Sequence, residues 1–128
     1  MAQQQNSSTD GKAPDAKTLL SLIETTLEDG KAENIVVVDL DGKSSVADFL
    51  VIASGRAARH VSALSDQVLQ TVKQAGMGRV ATEGLSSGDW VLLDVGDVIV
   101  HLFRPEVREF YNLEKIWLVD AEKQPAKT

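Results

Sequence analysis

The chain has 128 residues, with 13 Lys and Arg against 19 Asp and Glu (net charge −6), 43% hydrophobic and 25% charged residues. That length and balance suit one ordinary globular domain and argue against a disordered or fibrous chain. The absence of cysteine excludes disulfides, thiolate metal sites and a cysteine nucleophile. The acidic charge disfavours a general binder of nucleic-acid phosphates, and no apolar run approaches the roughly 18 residues that span a bilayer. Met1 to Thr9 is polar and lacks the charged-then-apolar pattern of a secretion signal, so a cytoplasmic location is expected.

Residues 1–13 are Gln/Ser-rich and have nothing to bury, which predicts a disordered tail, and 121–128 reads the same way. Residues 14–120 are expected to form a single domain. Asp15 can cap a first helix ending at Gly30, with Leu19, Leu20, Ile23 and Leu27 as its apolar stripe and Leu22 on the flank. Asn34 to Leu40 is a continuous β-branched run, predicting a strand covered on both faces. After an Asp41-Gly42 turn, Asp48 to Ser54 predicts a second buried strand. The connection of about seven residues is too short for a helical crossover, so the two strands should be antiparallel neighbours. Val61, Leu64, Val68 and Val72 recur at helical spacing within a helix predicted from Arg56 to Ala75 and stopped by Gly76 and Gly78.

Arg79 to Ala81 reads as a short third strand and Glu83 to Gly88 as a loop. Asp89 to Asp94 and Asp97 to Phe103 then form a hairpin about Val95-Gly96. Pro105 opens a last helix through Lys115, and Trp117 to Val119 adds a closing apolar segment. The sum is a mixed α/β (α+β) fold, a sheet of about five strands with helices packed on it.

Pairing the hairpin strands places Leu93 opposite Val98 and Val91 opposite Val100, with Leu102 beyond, an aliphatic face suited to a core. The other face carries Trp90, Leu92, Ile99, His101 and Phe103, rimmed by Asp94 and Asp97. Two readings stay open for it: a second core beneath a helix, or an interface, whose composition favours aromatics over an acidic rim.

Signals for catalysis are thin. The run IVVVDLDGK, with Asp39 and Asp41, imitates the nucleophile strand of haloacid-dehalogenase-type phosphatases, VIAS ending at Ser54 their second strand, and Gly96-Asp97 their late acidic motif. Paired carboxylates at a strand end could hold Mg²⁺ and attack phosphorus. Those motifs need parallel strands, however, and Leu40 to Ala47 leaves no room for a crossover. Ser54-Gly55-Arg56, followed by Arg59 and His60, is a candidate anion cradle at a helix N-terminus, against a plainer reading of Ser54 as a cap. His60 and His101 have no local ligand spacing for zinc, no G-x-S-x-G elbow supports a triad, and no cofactor or metal is expected.

Three segments are more specific. Asp48 to Asp66 (DFLVIASGRAARHVSALSD), Glu83-Gly84 with Asp89 to Phe103 (DWVLLDVGDVIVHLF), and Glu109 to Trp117 (EFYNLEKIW) together resemble the ribosomal silencing factor, or Iojap-like, family across residues 17–119. The resemblance implies a homodimer with a fold similar to nucleotidyltransferases but without their activity. It further implies binding to ribosomal protein L fourteen on the large subunit and a steric block to joining of the small subunit, lowering translation when nutrients run short. Organelle relatives take part in ribosome assembly. The chain agrees on the missing activity, since Ser54-Gly55 reverses the Gly-Ser order of the nucleotidyltransferases and Asp94 and Asp97 flank a turn.

On this reading Trp90, Leu92, His101 and Phe103 are expected to supply apolar contact to the partner. Asp94, Glu109 and Glu114 would pair with its Lys or Arg, and Tyr111 would be an amphipathic anchor. Tyr111, Leu113 and Trp117 have two other expected uses, packing the last helix on the sheet or forming the dimer contact. The competing function class is a metal-dependent phosphoryl or nucleotidyl transfer enzyme.

Overall fold

The computed structural model of the chain describes residues 14–40 and 47–107. The expected tails, the Asp41-Gly42 turn and everything from 108 onward lie outside the described residues.

Helix α1 (Ala16–Asp29) starts where the Asp15 side chain accepts the Thr18 amide at 2.8 Å. That amide holds the Asp15 carboxyl below the ordinary aspartate range. Leu19, Ile23 and Leu27 are buried, as the stripe predicts, whereas Leu20 is half-buried. The helix ends in paired reverse bonds, from Lys31 N–H to the Glu28 carbonyl and from Ala32 N–H to the Leu27 carbonyl, a Schellman closure. The left-handed residue in it is Lys31 (φ 68°), not Gly30. Gly30 serves a different need, because a Cβ there would run into Gln67 Oε1 and the Leu64 methyl of the second helix.

That second helix, α2 (Ala58–Gln74), buries Val61, Leu64, Val68 and Val72, with Ser65 among them bonded to the Val61 carbonyl at 2.9 Å. Its end is again a Schellman closure, with Gly76 at φ 103° donating to the Lys73 carbonyl and Met77 to the Val72 carbonyl. Thr26 donates to the Leu22 carbonyl, so the 2.9 Å contact that joins the two helices is donated by Thr71.

Five strands follow the sequence reading with three corrections. β1 (Glu33–Asp39), β2 (Phe49–Ser54), β3 (Ala81–Glu83), β4 (Trp90–Asp94) and β5 (Val98–Phe103) lie in the order β1-β2-β5-β4-β3. β1 and β2 are antiparallel, β2 and β5 parallel, and β5, β4 and β3 antiparallel in turn. The first correction is that β1, which packs apolar side chains toward both faces, is an edge strand among the described residues, with Ile35, Val36 and Val37 only half-buried. Its alternate apolar residues feed both clusters, Ile35 and Val37 on the helix side and Val36 and Val38 on the other, and a register irregularity near Asn34 (φ 51°) interrupts its pairing. The wholly buried strands are β2 and β5 at the centre.

Second, β3 begins two residues later than expected, at Ala81. Third, the hairpin pairs Leu93 with Val100 and Val91 with Leu102, two positions further along than the predicted register. A shift of two keeps every side chain on its predicted face, because the strand period is two. The aliphatic face therefore forms the main core, where Val91, Leu93, Val98, Val100 and Leu102 pack with Val51 and Ala53 against the stripes of both helices.

Candidate partner-binding face

The opposite face of the sheet joins Val38, Leu40, Ala47, Leu50, Ile52, Ile99 and Phe103 in a second apolar cluster, flanked by half-buried Val36, Trp90, Leu92 and Val107. Both α1 and α2 pack on the other side, so among the described residues no complete helix lies on this one.

The antiparallel register sets Trp90 opposite Phe103, Leu92 opposite His101 and Asp94 opposite Ile99. Trp90, His101 and Phe103 form an aromatic cluster with ring centroids 5.8 to 6.3 Å apart. The Trp90 indole N–H donates to His101 Nδ1 at 3.0 Å. Nδ1 is then an acceptor, so the imidazole is neutral with its proton on Nε2. Burial supports that state: His101 is 3% exposed, and loss of solvent pushes its pKa down from 6.5 to about 4.

The face is thus layered. His101 and Phe103 are buried, while Trp90, Leu92 and Asp94 are half-buried beside them. The two buried rings form a platform that orients the Trp90 indole through its hydrogen bond to His101. Glu109, Tyr111 and Glu114, with Leu113 and Trp117, lie outside the described residues. The end of β1, the start of β2 and the β4–β5 turn bring Asp39, Asp48, Asp94 and Asp97 to one end of the sheet, an acidic rim spanning four adjacent strands. The Asp94 side chain accepts the Gly96 amide at 3.0 Å, which fixes the turn.

The His101 environment has a pH consequence. Between about pH 4 and 6.5 an unfolded histidine takes up a proton that the folded one refuses, so this contribution is full above pH 6.5 and lost as pH falls through about 4. Wild type should lose up to ~3 kcal/mol more stability over that range than His101→Gln. Denaturant midpoints at pH 4.5 and 7.5 measure it, and parallel losses in both proteins would refute it.

The candidate anion cradle does not assemble. Ser54 is fully buried at the end of β2. It is not the cap of α2, whose N-cap Ala57 has no side-chain bond. Gly55 is needed for packing, since a Cβ would lie 2.9 Å from the Val61 backbone nitrogen. Arg56 is exposed, and its backbone amide is taken by His60 Nδ1 at 2.9 Å. His60 Nε2 reaches the Gly30 carbonyl at 2.9 Å. With Nδ1 accepting, Nε2 is the donor, and His60 is a strap tying the end of α1 to the start of α2. The antiparallel pairing of Asp39 with Phe49 also removes the parallel geometry that the phosphatase reading needs. Among the described residues no group of three or more His, Asp or Glu side chains could hold a metal, and no helix is long and apolar enough to cross a membrane.

Two features have no plain signal in the sequence. Arg104 binds Asp89 at 2.9 Å and Glu106 at 3.2 Å, closing the exit of β5 over the start of β4 beside Trp90. A groove of about 680 Å³ runs between α2 and the segment through β3. The pattern of alternation in β4 and β5 is the only trace of the aromatic cluster, and its Trp90–His101 bond follows from the cross-strand register alone.

Among the described residues, a five-stranded mixed sheet with both helices on one face and an aromatic cluster on the other defines a small mixed α/β protein. A protein of Chromobacterium violaceum shares this fold, with a TM-score of 0.78 and 36% identity over 81% of this chain and 87% of that one. The family described as "Ribosomal silencing factor during starvation" matches residues 13–128. The ribosomal silencing factor RsfS of Zymomonas mobilis is 49% identical over 112 residues, 87% of this chain and 84% of the relative. A mouse protein, "Mitochondrial assembly of ribosomal large subunit protein 1", is 31% identical over 80% of this chain and 46% of its own length. The chain belongs to the ribosomal silencing factor family.

Proposed function

We propose that this protein binds the large ribosomal subunit through ribosomal protein L fourteen, using the Trp90 face, and blocks joining of the small subunit. It represses translation in the cytoplasm, works as a homodimer and acts by occupying a surface, without catalysis. Membership of a family named for ribosome silencing supports the ribosomal target, as does the mouse relative named for large-subunit assembly.

The observation that carries the choice of surface is the layering of the Trp90 face. Half-buried Trp90 and Leu92 pair across the strands with buried Phe103 and His101, and three aspartates, Asp48, Asp94 and Asp97, edge the far end of the same face on a chain of net charge −6. A tryptophan already held by a partly buried hydrogen bond loses little freedom on contact, which favours it as an anchor. Ribosomal proteins are usually basic, and an acidic rim speeds encounter and sets register with such a surface. Glu109, Tyr111 and Glu114 extend the proposed contact.

Sucrose-gradient sedimentation of purified subunits tests the function. Saturating protein should convert joined ribosomes to free subunits and co-sediment with the large one. Unchanged subunit joining at saturation would refute the proposal.

A further inference from the structure

The groove between α2 and β3 lies on the helix side of the sheet, away from the Trp90 face. Its apolar lining is Leu69, Met77 and Val80, all half-buried, and Leu85, which at 37% exposed is the most open large hydrophobic side chain among the described residues. Lys73 on α2 and Arg79 on the segment leading to β3 face the groove from its two walls, and neither is in an ion pair among the described residues. Asp66 lies seven positions before Lys73 on α2, about 10 Å along the helix at 1.5 Å per residue, so the groove is acidic toward one end and basic toward the other.

One wall is also a sheet edge. β3 pairs only with β4 among the described residues, and Ala81 and Glu83 are exposed. An open edge accepts an added strand through its main-chain groups, while alternate side chains of that strand enter the neighbouring groove. The volume of about 680 Å³ is within the range of sites that enclose several side chains.

We infer that this groove and the β3 edge form a second docking site, for an extended peptide segment of a partner protein with apolar side chains and an acidic end. The strand pairs along Ala81–Glu83, its apolar side chains fill the space over Leu69, Met77 and Val80, and its carboxylates meet Lys73 and Arg79. The polarity of the groove selects the acidic end: a basic segment would meet two like charges there. Because this site and the Trp90 face lie on opposite sides of the sheet, both can be occupied at once. The protein would then link a second polypeptide to whatever the Trp90 face holds.

The test uses the full chain labelled with ¹⁵N and two fluorescent octapeptides of Ser, Val and Leu, one ending in two Glu and the other in two Lys. The Glu peptide should shift amide resonances in α2 after Asp66 and across residues 77–85, and bind at least ten-fold tighter than the Lys peptide. Lys73→Glu with Arg79→Glu, both exposed and outside the core, should reverse the preference, and Leu85→Ser should weaken both peptides. Equal binding of the two peptides, shifts confined to the Trp90 face, or no shift at millimolar peptide would overturn the site. Concentration-dependent shifts in the same segment without peptide would also overturn it, in favour of a second copy of this chain.

Discussion

Trp90→Ala should weaken capture of the large ribosomal subunit about 30-fold, the ~2 kcal/mol expected when a central aromatic anchor is truncated. The indole does two things here. It presents a half-buried apolar surface, and it donates to His101 Nδ1, so its removal strips the contact and frees the platform beneath. Asp97→Lys should act differently. Its side chain lies on the exposed rim, while its carbonyl holds the Asp48 and Phe49 amides, and those main-chain bonds survive the substitution. Charge reversal should therefore slow association and flatten the salt dependence more than it speeds dissociation. Surface plasmon resonance with immobilised subunits separates the two, after circular dichroism has shown both variants folded. Trp90→Phe keeps the bulk without the hydrogen bond and guards against simple misfolding as the cause. Wild-type affinity in folded Trp90→Ala would remove this face as the interface.

The largest stability effect should come from Gly84→Ala. Gly84 has φ +83°, where a side chain is strained, and a Cβ there would run into the Trp90 carbonyl oxygen. That oxygen belongs to the first residue of β4, so it cannot rotate away as a side-chain tip would. Left-handed backbone alone costs about 1–3 kcal/mol, and displacing β4 adds to it. The expected total is about 3 kcal/mol or more, roughly a 10 °C fall in Tm. Gly78→Ala is the matched control, because a Cβ there meets nothing within 4 Å. It should leave Tm nearly unchanged or raise it slightly by restricting the unfolded chain. Equal Tm values for the two variants would show that the Gly84 turn does not hold β4 in place.

Local patterns were readable wherever one residue's chemistry decided the outcome. Asp15 caps α1 because a short carboxylate reaches the amide three residues on, and this requires no distant partner. The stripes of α1 and α2 and the two faces of the hairpin follow from periods of 3.6 and 2, which survive even a register error of two. The brevity of the segment between the first two strands was enough to make them antiparallel, and that alone removed the phosphatase reading. The family resemblance rested on three motif segments, and the family match over residues 13–128 bears it out.

Other outcomes depended on residues far apart in the chain. Ile35 to Val38 is as apolar as a central strand, but its place at the sheet edge is set by β5 choosing β2 as its parallel neighbour. Ser54 and Arg56 look like an anion cradle until His60 takes the Arg56 amide and ties it to Gly30, thirty residues from His60. Gly30 looks like a left-handed stop, yet it is small because α2 crosses it closely. Periodicity, capping and motif spacing were enough for α1, α2, the strands, their inward faces and the family. Long-range packing set which strand is an edge, buried His101 and Phe103 beside Trp90, and opened a groove beside β3. The physical reason is range: periodicity and capping act within a few residues, whereas burial, register and hydrogen-bond partners are set by segments that meet only when the sheet closes.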